Sequence, residues 1–187
     1  MENLKVQNSE KIQSSNKITT KDLVITGMFT ALICVMAQIS FPTQPIPFTL
    51  SLFAIFLTGA LLTPRYSFFA VLTYLLIGAF GIPVFAGLKG GIGHLTNMTG
   101  GYLMAFPLMA FITSFFKKYN IILGMLIALL SCYLIGTAWF SFITGNTFYT
   151  SLLTCVVPFV ILDLIKIALA ASVSTVIRKT LPKSLLP

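Results

Sequence analysis

The sequence predicts an all-α integral membrane protein of six transmembrane helices, with a glycine-rich outer loop between helices three and four. Three observations carry that prediction. Of the 187 residues, 57% are hydrophobic and 9% charged, and the mean hydropathy is +0.96, whereas a soluble domain carries roughly 25% charged residues. Six apolar stretches, at 22–40, 47–63, 66–80, 101–116, 120–143 and 152–177, approach the ~20 residues a helix needs to cross a bilayer. Basic residues gather on alternate connections between them. Such a chain has too little charge to cover a water-facing surface, which excludes a soluble enzyme or nucleic-acid binder despite a net charge of +8.

Taken in order, residues 1–21 are Ser-, Asn- and Lys-rich without apolar periodicity and read as a cytoplasmic polar tail. That leaves 22–187 as one membrane-embedded binding domain. A basic stretch before an apolar one also outlines a signal peptide, but the first span lacks a small-x-small cleavage site. Gly27, Ala31, Cys34 and Ala37 place small residues at three- and four-residue steps in that span. Such a face permits close helix contact, within the bundle or with a partner. Thr63-Pro64-Arg65 reads as a tight turn between spans two and three. Gly78, Gly81 and Pro83 interrupt the end of the short third span, which is tolerated at membrane depth where the backbone lies inside protein or lines a cavity.

Orientation follows from the cations. With the N-terminus inside, the inner side receives Lys5, Lys11, Lys17, Lys21, Arg65, Lys117, Lys118, Arg178, Lys179 and Lys183, and the outer loops only Lys89. That asymmetry places both termini in the cytoplasm of a plasma-membrane protein and suits the anionic lipid of the inner leaflet. Cys34, Cys132 and Cys155 stand in or beside apolar spans at no metal or redox spacing, and read as buried small hydrophobes. No phosphate-cradling Gly-Lys-Ser/Thr loop is present, so energy from a nucleotide would have to come from elsewhere.

The acids are the informative minority. Glu2, Glu10 and Asp22 lie in the first 22 residues, and Asp163 alone serves the remainder. Asp163 stands eleven residues into the sixth span, near mid-depth, with the span-embedded Lys166 three residues on. Each charge at a helix centre costs roughly 2.5–3.5 kcal/mol on insertion scales. The spacing puts both on one helical face in the favourable order. From the residues alone, the pair is either a self-neutralising ion pair or a polar site. As a site, Asp163 would accept from ligand N–H groups and Lys166 would donate to a carbonyl or carboxylate.

The connection GIPVFAGLKGGIGHLTNMTGG carries seven glycines, among them Gly90 and Gly91, together with Lys89, His94 and Asn97. Glycine lets main chain approach a ligand closely, and the loop's apolar content points to a lid or re-entrant segment folded over the bundle. His94 has no second ligand near it in sequence, so no metal site is expected. Tyr102 and Trp139 are candidates for a pocket wall or for interface anchors.

The stretch PIPFTLSLFAIFLTGALLTPRYSFFAVLTYLLIGAFGIPVFAGLKGG, followed by TGGYL, YLIGTAW and PFVILDLIK, resembles the BioY family, the biotin-binding substrate components (S components) of energy-coupling-factor vitamin transporters. The resemblance covers about residues 25–178. It implies six membrane helices, capture of biotin from outside, no catalysis and no cofactor. The implied partners are a transmembrane coupling subunit and two ATPase subunits. It also implies that Asp163 and Lys166 contact the ligand and that the glycine-rich loop caps it, with Lys89 before the paired Gly90 and Gly91. Gly27 and Ala31 match one step of the small-residue face that meets the coupling subunit, with Val35 at the next. The sequence departs from the pattern at Lys89, at Asn97-Met98, at Ile161-Leu162 and at Ser51. Competing readings are the same fold with another small vitamin-like ligand, and an intramembrane enzyme using Asp163 and Lys166 as acid and base.

Overall fold

The computed structural model describes residues 19–41, 43 and 46–180. Of the tail expected over 1–21, residues 1–18 lie outside the described part, and Thr19 already caps the first helix. In α1 (Thr20–Gln38) the Asp22 amide donates to Thr19 Oγ1 at 3.3 Å, and the Asp22 carboxylate accepts from the Thr19 amide at 3.2 Å. This reciprocal capping box satisfies two orphan donors. The Tyr66 hydroxyl adds a third bond to that carboxylate at 3.1 Å, so Asp22 serves structure.

The second span begins later than its hydropathy predicts. Residues 47–50 are not helical: β1 (Ser40–Phe41) and β2 (Phe48–Thr49) form a small antiparallel hairpin, with Phe41 opposite Phe48. Prolines at 42, 45 and 47 remove amide donors and fix φ, which opposes a helix there. The helix proper, α2 (Ser51–Leu61), has 11 residues and so spans about 16 Å, near half the hydrocarbon thickness. It is the centre of the molecule, with Ala54, Ile55, Phe56 and Ala60 fully buried. Pro64 then opens α3 (Pro64–Ala79) at a position where its missing N–H costs nothing. The expected turn is therefore Leu62-Thr63, with Pro64 and Arg65 already helical.

The chain continues through the short α4 (Gly93–Thr96), α5 (Gly100–Phe116), α6 (Ile121–Thr144), α7 (Phe148–Cys155) and α8 (Val160–Thr180). The span expected over 152–177 is thus two helices. Residues 156–159 form a turn around Pro158, whose ring cannot continue a helix, so Asp163 falls in the first turn of α8 and not at its middle. Among the described residues, α1, α6 and α8 are long and apolar enough to cross a membrane. Large apolar side chains such as Met28, Leu130, Ile161 and Val176 are exposed, as a lipid-facing surface requires.

Glycines set the closest approaches. A Cβ on Gly136 would stand 2.2 Å from the Tyr102 ring, and one on Gly101 would stand 2.2 Å from Trp139 Cβ. α5 and α6 thus exchange an aromatic knob for a glycine hole in each direction. At the opposite end of the bundle, the terminal carbonyls of α2 lack intrahelical partners. Ser114 Oγ and Lys117 Nζ both donate to Leu62 O at 2.5 Å, and Arg178 donates to Ala60 O. Two cations therefore neutralise the negative end of the α2 dipole. Burial, with Arg178 and Lys118 nearby, pulls the Lys117 ammonium down to about 8.

Two outcomes follow. Gly136→Val should lower the unfolding free energy in detergent by about 1–3 kcal/mol through overpacking, and an unchanged melting temperature would contradict the knob-and-hole contact. Because Lys117 binds its proton more weakly folded than unfolded, the folded state gains stability as pH rises from about 8 toward the ordinary lysine range, and gains none below. Wild type should therefore gain thermal stability relative to Lys117→Met over that window. A flat difference would show the ammonium to be unperturbed.

Candidate ligand-binding site

The break at Pro158 gives Asp163 its environment. In the first turn of α8, the carboxylate lies at the positive end of the helix dipole. Lys166 Nζ donates to Asp163 Oδ1 at 2.8 Å, and the Tyr133 hydroxyl of α6 donates to Oδ2 at 2.6 Å. Both members of the pair are 4% exposed. The ammonium also sits 4.0 Å from the centroid of the Phe48 ring on β2, a cation–π contact that is stronger when desolvated. α8, α6 and the hairpin therefore converge on one pair of charges.

That pair forms part of the wall of a cavity of about 740 Å³, within the 300–1,000 Å³ usual for small-molecule sites. Tyr74, Phe85, Phe106, Phe140 and Phe159 supply aromatic walls, while Lys89, Asn97 and Asn146 line it from the loops and His94 from the short α4. Lys89 is exposed. The arrangement is an apolar slot with an acceptor and a donor side by side in one wall and a cation on the lining loop. Among the described residues, no three His, Cys, Asp or Glu side chains gather to hold a metal.

The residues expected from the sequence divide into two groups. Asp163, Lys166, Lys89 and Tyr102 line the cavity, with the Tyr102 hydroxyl 3.2 Å from Thr137 Oγ1. Gly90, Gly91 and Trp139 stand outside the lining and shape what surrounds it. The Gly91 amide donates to Gly78 O at 2.7 Å from a φ of 101°. A Cβ on Gly90 would stand 2.5 Å from Ile82 O. Trp139 Nε1 donates to Asn97 O at 2.9 Å, so the indole fastens the loop to α6. On α1, Gly27 and Ala31 are exposed, Cys34 is half-buried and Ala37 is buried; the small residues do not share one environment.

Three contributors escaped sequence reading. Tyr133 and Phe48 hold the charged pair. Gln38, at the end of α1, donates from Nε2 to Val84 O at 2.9 Å and accepts from the Leu88 amide at 3.0 Å. That bidentate amide grips the turn which carries Lys89. Phe85 anchors the same turn: its ring packs edge-on against Tyr74, with centroids 5.6 Å apart, in space left by Gly78.

A sequence profile of the BioY family matches residues 9–183. The chain belongs to the BioY family. Among its relatives, a probable biotin transporter BioY of Pyrococcus horikoshii is 40% identical, covering 82% of this chain and 94% of that protein. The biotin transporter BioY of Thermotoga maritima is 38% identical, covering 85% of this chain and 96% of that one. The crystal structure of the S-component for biotin from an ECF-type ABC transporter superposes with a TM-score of 0.81 at 27% identity, covering 90% of this chain and 98% of that one. BioY is a family of transport components and not of enzymes, which removes the intramembrane-enzyme reading of Asp163 and Lys166.

In this BioY chain the ion pair can be tested apart from any ligand. Asp163→Leu strands a buried ammonium and should cost about 3–5 kcal/mol in unfolding free energy, while Asp163→Leu with Lys166→Leu should recover most of that loss. Equal losses in the single and double variants would show that the two charges are not energetically coupled.

Proposed function

We propose that this protein is the biotin-capturing substrate component of an energy-coupling-factor transporter. It crosses the plasma membrane six times, with both termini in the cytoplasm and the cavity open to the outside. A coupling subunit, driven by two ATPase subunits, supplies the energy for release inside. The reading is carried by one observation: in a BioY chain, a buried acceptor and donor 2.8 Å apart form part of the wall of a largely apolar cavity. The excess of cations on alternate connections supports the orientation. The exposed Gly27–Ala31 face of α1, flanked by exposed Leu23, Met28 and Val35, supports contact with the coupling subunit there.

The arrangement of charges supports one orientation of the ligand. A urea presents N–H and C=O side by side, which complements a carboxylate beside an ammonium; the bicyclic head of biotin therefore enters first. Its carboxylate then faces the loops, where Lys89 is the available cation. Gly90 and Gly91 fold that loop over it, and Tyr102 packs against the ligand's apolar flank. Trp139 acts through the loop it holds.

Biotin binding by calorimetry on the purified full-length protein tests this. Wild type should bind at micromolar ligand or below, and Asp163→Asn and Lys166→Met should each weaken binding more than tenfold, by over ~1.4 kcal/mol. Lys89→Met should weaken binding of biotin but not of biotin methyl ester. Normal binding by both pair variants would reduce Asp163 and Lys166 to a structural role, and no binding by wild type would remove biotin as the ligand.

A further inference from the structure

A second space, of about 640 Å³, lies between the start of α3 and the middle of α5. Phe68, Phe69, Leu108 and Phe111 wall it, and Thr63, Pro64 and Arg65 close its head. Its walls face outward: Phe69 is 46%, Leu108 40% and Phe111 39% exposed. In a membrane-embedded chain that face meets lipid. An acyl chain gains little by leaving its neighbours for such a groove, because lipid tails are as apolar as the groove's walls. Any selectivity must therefore come from the head.

At the head stands an uncompensated charge. Arg65 is exposed, and no described carboxylate pairs with it: Asp163 is held by Lys166. The Asp22 carboxylate is taken up by Thr19 and Tyr66. This end of the bundle also carries Lys21, Lys117, Lys118, Arg178 and Lys179, six cations in all with Arg65 against Asp22. Lys117 and Arg178 are turned to the carbonyls of α2, whereas Arg65 adjoins the apolar groove. α3 also begins here without a side-chain cap, so its positive end adds to the same field.

We propose that this groove seats one acyl chain of an anionic phospholipid whose phosphate pairs with Arg65. Guanidinium suits that partner because its planar fork matches phosphate oxygens in a bidentate pair. A zwitterionic headgroup of equal tail length carries its own cation and competes poorly. The inference rests on membrane insertion and on no property of the ligand cavity, so its failure would leave biotin capture untouched.

The test is electron spin resonance on the full-length protein in bilayers doped with spin-labelled phosphatidylglycerol or phosphatidylcholine of identical chains. Wild type should immobilise phosphatidylglycerol about fivefold more strongly, the upper range for one directly paired exposed cation. Arg65→Gln should lose most of that preference, Arg65→Lys should keep part of it, and Lys179→Gln at the same end should keep it all. Leu108→Trp, which fills the groove, should remove about one immobilised lipid per protein; Phe111→Trp serves if that variant fails to fold. No preference in wild type, equal loss in Arg65→Gln and Lys179→Gln, or an unchanged lipid count in the filled groove would each overturn the proposal.

Discussion

Asp163 and Lys166 place opposite charges where each alone would be expensive, and the surrounding architecture makes the placement tolerable. The turn at Pro158 puts the acid at a helix start, where exposed amide dipoles favour negative charge. Tyr133 supplies a short hydrogen bond to the carboxylate oxygen that Lys166 does not use. Phe48 covers the ammonium with the negative face of its ring. Each support comes from a different element, so the pair is fixed only when α6, α8 and the β1–β2 hairpin are in register. The charges thereby organise the cavity wall as well as line it.

The two ends of the bundle solve different problems. At the basic end, side chains from α5 and α8 satisfy the last carbonyls of α2, and Gly59 lets α2 approach to within 2.7 Å of Ala110 O at a notional Cβ. That end is closed and tightly joined. At the loop end, the connection after α3 is secured at a few points: Gln38 on Val84 and Leu88, Gly91 on Gly78, and Trp139 on Asn97. A few discrete bonds over an apolar cavity can be exchanged for ligand contacts without disturbing the core beneath, and that asymmetry suits the proposed entry of ligand at the loop end.

Much of this was legible in composition. Scarcity of acids singled out Asp163, and basic asymmetry separated the two ends. Hydropathy could not see that 47–50 is extended, because a window average weighs Phe48 and Leu50 and ignores the backbone consequence of three nearby prolines. It missed the break in the last span for the same reason, since Pro158 sits in an otherwise unbroken apolar run. Tyr133 was within reach: a phenol inside an apolar span needs an acceptor, and only one carboxylate lies beyond residue 22. Gln38 and Phe48 were not, because their partners are 50 and 118 positions away in the chain, and no local pattern encodes such contacts.

Charge balance gives the departure at Lys89 a physical reading. Without ligand, Asp163 and Lys166 cancel, leaving the deep wall of the cavity neutral. A ligand bearing one carboxylate brings in a charge that the apolar walls cannot solvate, and a desolvated anion without a partner is strongly disfavoured. An uncharged residue at position 89 would leave that carboxylate to water at the cavity mouth or to a nearby amide. The lysine instead offers a full counter-charge on a turn already held by Gln38 and Phe85, so in the proposed binding mode one loop would both cover the ligand and neutralise it. In that mode loop position and ligand charge would be coupled: an anion would attract the turn, and the turn's hydrogen bonds to Gln38 of α1 would limit how far it travels.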